Sequence, residues 1–315
     1  MNTSMWMKRV VAVAVVLVVA PVMQAGPKVG MVLKARSGFW DAAEKGGRGV
    51  AETLGAELVA KAPQSESEIG AQVQMLASLV EQGCEAIVIA PSSKDTLVDP
   101  VASAVARGVK VVIIDTQLAR EVAPVYVGTD QLEAGRAAGR LVASLVADGD
   151  TVCLFRHNQT SGATEQRENG ALEALRTARE GLVLHGSIYA STEKGMETAR
   201  ANHLLNQDPN VKAVLASGTP GTMAMLHVLR DRGLGGKVRF VGFGYNLNRP
   251  VADALEQGVM DGWIAQLPGR MGEEAVKAAM ALIQGEAVES VVTIPFQVIT
   301  KENLRDPAVQ ALMFP

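Results

Sequence analysis

Residues able to do chemistry recur at one kind of place in this sequence, the few positions that follow a short apolar run. Arg36, Ser37, Phe39 and Trp40 follow the run ending at Leu33, and Ser92 follows the run ending at Ala90. Asp115 and Thr116 follow Ile114; His157 and Asn158 come soon after Phe155, with Arg167 further along. Thr219 follows Ala216, and Tyr245 and Asn246 follow Phe243 and Gly244. Adjacent rings give large contact area to the apolar face of a small ligand, or else staple a helix onto its own domain. A carboxylate such as Asp115 accepts two hydrogen bonds from a diol or an amine, or caps a helix. An arginine near a helix start, as Arg167 would be, holds an anion or a polar oxygen, or forms a surface ion pair. Ser37 suits a helix cap or a ligand hydrogen bond, and His157 alone reads as a structural or surface residue. This is the chemistry of holding a molecule. The spacings of hydrolases, metalloproteases and nucleotide-phosphate loops are absent, so no catalysis, metal or cofactor is expected.

The elements that place these residues alternate. Apolar runs at 28–33, 56–60, 86–90, 110–114 and 125–127 read as strands, and apolar spacing predicts helices at 39–54, 67–81 and 95–107. Helix 39–54 is expected to turn Ala42, Ala43, Val50 and Leu54 inward, and helix 67–81 to turn Ile69, Val73, Leu76 and Val80 inward. After a helix at 131–146 the pattern restarts. Strands are expected at 151–155, 182–189, 211–216, 238–243, 259–267 and 291–298, with helices at 164–178, 192–206, 219–231 and 272–284. A further helix start is marked by Pro268, since proline suits the first helical position. Strands joined by helices of about a dozen residues imply parallel sheets covered on both faces. Two such series in succession favour an α/β chain of two doubly wound parallel-sheet domains. Ligands of such sheets sit beyond the carboxyl ends of the strands, where the candidate residues fall.

Composition bounds the rest. The chain has 315 residues, 48% apolar and 20% charged, with a net charge of -3 and no basic run suited to nucleic acid. Lys8 and Arg9 precede an apolar run at 10–20, then Pro21 and the small residues Ala25 and Gly26. That order describes a secretory signal peptide over residues 1–25 and a mature, exported, periplasmic protein. The run is short for a bilayer span, which takes about 20 apolar residues. The two cysteines, Cys84 and Cys153, read as isolated buried thiols.

Several segments, in order, resemble the periplasmic sugar-binding proteins of the ribose-binding, type I family. They are Val127-Gly128-Thr129-Asp130 with Gly135-Arg136 and Gly139, Arg167 with Gly170, and the strand entry Asp208-Pro209-Asn210-Val211. Val241-Gly242-Phe243 and Ile264-Ala265-Gln266-Leu267-Pro268 complete the series. The resemblance runs from about Lys28 to about Thr300. It implies two lobes, 26–129 plus 267–295 and 130–266 plus 296–315, joined by a three-segment hinge that closes on a ligand. Crossings would fall near Thr129–Asp130, Gln266–Leu267 and Pro295–Phe296. It implies that Phe39 and Trp40 pack against the ligand while Ser37, Asp115, Arg167 and Gln266 hydrogen-bond its rim. It further implies a monomer that delivers a sugar or sugar-like solute to an ABC permease. The alternative is a sensor that signals through a membrane kinase or chemoreceptor.

Three positions depart from the family pattern. Gly244 stands where an aspartate usually follows the Val-Gly-Phe segment. Gly218-Thr219 replaces an Asn-Asp pair, and Thr116 replaces an arginine. Lost anchors of this kind discriminate strongly among ligands. They point away from an ordinary monosaccharide toward a ligand that is less hydroxylated, or that carries a carbonyl or a negative charge.

Overall fold

The structure, a computed structural model, describes residues 26–190 and 195–313. Its strands form two six-stranded sheets among those residues. The first contains β1 (Lys28–Val32), β2 (Glu57–Lys61), β3 (Ala86–Ile89), β4 (Lys110–Ile114), β5 (Val125–Thr129) and β11 (Val291–Ile294), in the order β11-β5-β4-β3-β1-β2. The second contains β6 (Thr151–Arg156), β7 (Val183–Tyr189), β8 (Ala213–Ala216), β9 (Arg239–Tyr245), β10 (Gly262–Gln266) and β12 (Gln297–Ile299), in the order β12-β10-β9-β8-β6-β7. All pairings are parallel except β10 with β12. Central strands such as β3, buried along its whole length, carry the unbroken apolar runs that a doubly covered parallel sheet requires.

The chain leaves the first sheet after Thr129, and α4 (Gln131–Leu145) packs on the second. It returns after Gln266, where α9 (Pro268–Gln284) packs on α1 (Gly38–Thr53) and on the first sheet. The expected single strand at 291–298 is two strands in different sheets. Pro295 lacks an N–H for a ladder, so pairing stops there and the chain crosses again before Gln297.

Helix faces differ in detail from their apolar spacing. α1 buries Trp40, Ala43, Gly47 and Ala51, while Leu54 is 46% exposed. α2 (Ile69–Glu81) buries Gln72 with Leu76 and Leu79. The Gln72 amide donates to the carbonyls of Leu33 and Ala90 and accepts from the N–H of Ser92, tying the ends of β1 and β3 together. The expected start of a helix at 192 lies outside the described residues, and α6 is Met196–Gln207. The expected signal peptide of residues 1–25 also lies outside them. Cys84 and Cys153 are free and buried; burial pushes both thiols up, Cys153 to about 12.

One helix pair in each lobe approaches through glycine. Between α4 and α5 (Gly162–Ala178), a Cβ on Gly135 would stand 2.0 Å from the Arg167 carbonyl oxygen, and one on Gly170 2.1 Å from that of Leu132. Between α1 and α9, a Cβ on Gly272 would stand 1.9 Å from the Ala43 oxygen. Gly49, exposed within α1, has nothing within 4 Å of that position. Gly49→Ala should therefore raise stability by about 0.5–1 kcal/mol, read as a later urea midpoint with unchanged slope.

Candidate functional site

The carboxyl ends of both sheets face one cavity of about 590 Å³. β1 delivers Lys34, and the start of α1 delivers Ser37, Phe39 and Trp40. β4 ends at Asp115, β9 at Tyr245 and β10 at Gln266, while α7 (Thr219–Asp231) begins there with Thr219 and α5 points Arg167 inward. His157 also lines the space. The structure thus brings together eight of the nine principal candidates: Ser37, Phe39, Trp40, Asp115, Arg167, Thr219, Tyr245 and Gln266.

Thr116 is the ninth and stands behind the wall. It is fully buried, accepts from Lys34 Nζ at 2.6 Å and donates to Asp115 Oδ2 at 3.1 Å. Of the secondary candidates, Arg36 points outward and pairs with Glu44, and Ser92 is packed beneath the β3 exit with its hydroxyl unpaired. Asn158 folds its side-chain oxygen onto the N–H groups of Thr160 and Ser161, bracing the loop before α5. Asn246 gives its carbonyl to Trp263 Nε1 at 2.6 Å. None of these four residues lines the cavity, so a strand exit alone does not aim a residue into it.

The first lobe's wall is ionic. Lys34 Nζ meets Asp115 Oδ2 at 2.6 Å, both nearly buried, and sits 5.5 Å from the Trp40 ring centroid. Asp115 has φ of 61°, a left-handed conformation that aspartate tolerates better than most residues and that marks a locally strained site. Phe39 packs edge-on to Trp40 at 4.7 Å and, across the cleft, to Tyr245 at 5.6 Å. Ser37 precedes α1 without capping it, so its hydroxyl remains available to the cavity that it lines.

In the second lobe, Arg167 is 3% exposed and stacks over Phe243 at 4.4 Å. Its Nε and Nη2 donate to Gln131 Oε1, and its Nη1 donates to the carbonyl of Ser217. Burial pulls its pKa down to about 10 against the pull of Asp115, Glu168 and Tyr126. Glu168, 1% exposed, is the neighbouring carboxylate, but it is held by Arg156 at 2.5 Å and by the Ser217 hydroxyl at 2.7 Å.

Glu66, in the loop after β2, was not singled out by the sequence, because it stands five residues beyond its strand's end at Lys61. It lines the cavity and reaches across it to His157 Nε2 at 3.3 Å. Burial pushes its carboxyl up, but His157, Lys34 and a hydrogen bond from Trp40 together outweigh burial and hold it at about 2. Opening the cleft would part Glu66 from His157. Lys34 and Trp40 belong to Glu66's own lobe, so only the His157 share of the lowering favours the closed arrangement; that share is present above the ordinary value of 4.5 and is lost as pH falls toward about 2. Ligand affinity should fall between about pH 5 and pH 3 more steeply in the wild type than in Glu66→Gln. Identical profiles by intrinsic fluorescence titration would refute the latch.

Two α/β lobes facing each other across an aromatic and polar cavity, with three chain crossings, define a two-lobed ligand-binding protein. The chain belongs to the periplasmic binding protein domain family, whose signature spans residues 29–287. This is a family of periplasmic binding proteins rather than enzymes, and among the described residues no helix is long and apolar enough to cross a membrane. The chain is similar to the D-allose-binding periplasmic protein of Escherichia coli, 29% identical over 263 residues, which cover 80% of this chain and 83% of the relative. It is 27% identical over 254 residues to the D-ribose/D-allose-binding protein of Pseudomonas aeruginosa, 78% of each chain. A solute-binding protein from Agrobacterium radiobacter, solved in complex with D-arabinose, superposes with a TM-score of 0.86 at 27% identity, covering 91% of this chain and 99% of its own.

Proposed function

We propose that this protein is an exported solute-binding component of an ABC importer and captures a sugar or sugar-derived solute between its lobes. The observation that carries the reading is the cavity itself. Its volume suits a monosaccharide-sized molecule, and Trp40 and Phe39 offer aromatic surface while Asp115, Arg167 and Gln266 offer polar groups. The allose- and arabinose-binding relatives support it. The ligand-binding lobes would be 26–129 plus 267–295 and 130–266 plus 296–315. Closure would be favoured by contacts that a ligand makes to both lobes at once. Residues 1–25 would be the signal peptide, and the mature protein a monomer.

A thermal-shift screen over pentoses, hexoses, polyols and sugar acids tests the reading, followed by small-angle scattering with the best binder. A raised melting temperature with a smaller radius of gyration is expected; no shift with any member would refute it. The C-terminal stretch packs onto the second lobe. Leu304 and Val309 are buried in the second lobe's core, and the Leu247 N–H donates to the Leu312 carbonyl at 2.9 Å.

A further inference from the structure

Arg167 sets off a series of forced orientations. A guanidinium only donates, so the Gln131 atom that receives its Nε at 3.1 Å and Nη2 at 2.7 Å is the side-chain oxygen. The Gln131 NH2 then faces Gln266 and donates to its Oε1 at 3.0 Å. Gln266 is left with its own NH2. That group has no protein partner among the described residues, and its residue, only 4% exposed, lines the cavity. Gln131 is 1% exposed and lies outside the cavity lining.

The rest of this wall matches. Arg167 has N–H groups beyond the three that are bonded, and α5 and α7 begin at the cavity without side-chain caps. Fixed acceptors are few: Thr164 gives its proton to the Ser161 carbonyl and keeps its oxygen free. Gly218 and Gly244 offer none, and the Trp263 ring stands 2.0 Å from where a Gly244 Cβ would be, leaving no room for a longer side chain. Glu168 is turned away; Glu197, on α6, gives one oxygen to the Gly195 N–H and keeps the other. A hydroxyl at Arg167 and the Gln266 NH2 would find donors and no acceptor within that pair for its own proton. A carboxylate needs donors alone, and it would supply the anionic partner that no protein carboxylate hydrogen-bonds to Arg167. On the opposite wall Asp115 still has Oδ1 for sugar hydroxyls, since only Oδ2 is engaged.

We propose that Gln131 is a positioning residue that makes the Arg167–Gln266 part of the second lobe's wall donor-only, and that the ligand turns a carboxylate toward it: the ligand is a monosaccharide-sized sugar acid. The inference rests on the reading of this cavity as a sugar-type ligand site.

Calorimetry with matched pairs tests it, each uronate or aldonate against its parent sugar, on the full mature protein. At least one acid should bind ten-fold or more tightly than its parent, a difference of about 1.4 kcal/mol. Gln131→Glu reverses the relay, because a carboxylate at 131 accepts from both Arg167 and Gln266 and turns the Gln266 oxygen to the cavity. It should erase that preference. Gln266→Glu, which puts an acceptor on the wall directly, should do the same if the first variant does not fold. Parent sugars binding more tightly than their acids would overturn the proposal while leaving the sugar-site reading standing. No binding by either set at millimolar concentration would overturn both. An unchanged preference in a folded Gln131→Glu protein would overturn the positioning role.

Discussion

Arg167→Ala should weaken ligand binding by about 100-fold or more, the scale expected when a buried charged hydrogen-bond donor is removed. The guanidinium touches the cavity, the Phe243 ring, Gln131 and the Ser217 carbonyl together. Its loss would therefore do more than delete one ligand contact. Gln131 Oε1 would lose both donors, and its amide would be free to turn, releasing the orientation of Gln266. Arg167→Lys should rescue little, because an ammonium cannot span Gln131 and Ser217 as a planar fork does. Calorimetry with the best binder from the screen reads the affinity, and circular dichroism shows that the fold survives. Affinity within about three-fold of wild type would remove Arg167 from the site, since the loss of even one hydrogen bond from a charged group, about 1.5 kcal/mol or more, exceeds that.

Gly135→Val should destabilise the second lobe by about 3 kcal/mol or more, at the upper end of what overpacking costs. The atoms that a Cβ would meet at 135 are backbone, the Arg167 oxygen at 2.0 Å and its carbonyl carbon at 2.7 Å, so no side chain can move aside. The α4 and α5 helices would have to separate. Both carry site residues, Gln131 at the start of α4 and Arg167 within α5, so affinity should fall with stability. Urea titration followed by tryptophan fluorescence separates the lobes, because Trp40 reports on the first and Trp263 on the second. The Trp263 transition is expected to move to lower urea. A mutant whose two transitions both match wild type would show that the helices have slack the packing does not suggest.

Much of this architecture was legible because it is periodic. The alternation of apolar runs and amphipathic helices dictates parallel sheets, and parallel sheets dictate where a ligand can sit, which is why most strand-exit candidates converge on the cavity. What stayed hidden is not periodic. Gln72 interrupts an apolar stripe to satisfy backbone at two strand ends, a demand that appears only once the strands are side by side. Glu66 gains its meaning from His157, a residue of the other lobe. Glu168 and Gln131 hold site residues from behind, and nothing in the local spacing separates them from ordinary helix surface. Gly244 showed as a missing carboxylate; that Trp263 fills the space it would need was visible only in three dimensions.

The three crossings also set a timetable. β5 ends at residue 129, yet its sheet neighbour β11 begins at residue 291, so 291 − 129 = 162 residues must be made before that edge can pair. At ribosomal speeds of about 5–20 residues per second, the gap is about 8–32 seconds. For most of that interval, until residues 268–284 are made, the α1 face that receives α9 stays open, with Gly46 and Gly47 uncovered. The first half of the chain cannot close its own fold early, and non-local pairing of this kind is slow in any case. A chain read as bound for export would thus stay threadable because its first lobe waits for its last segment.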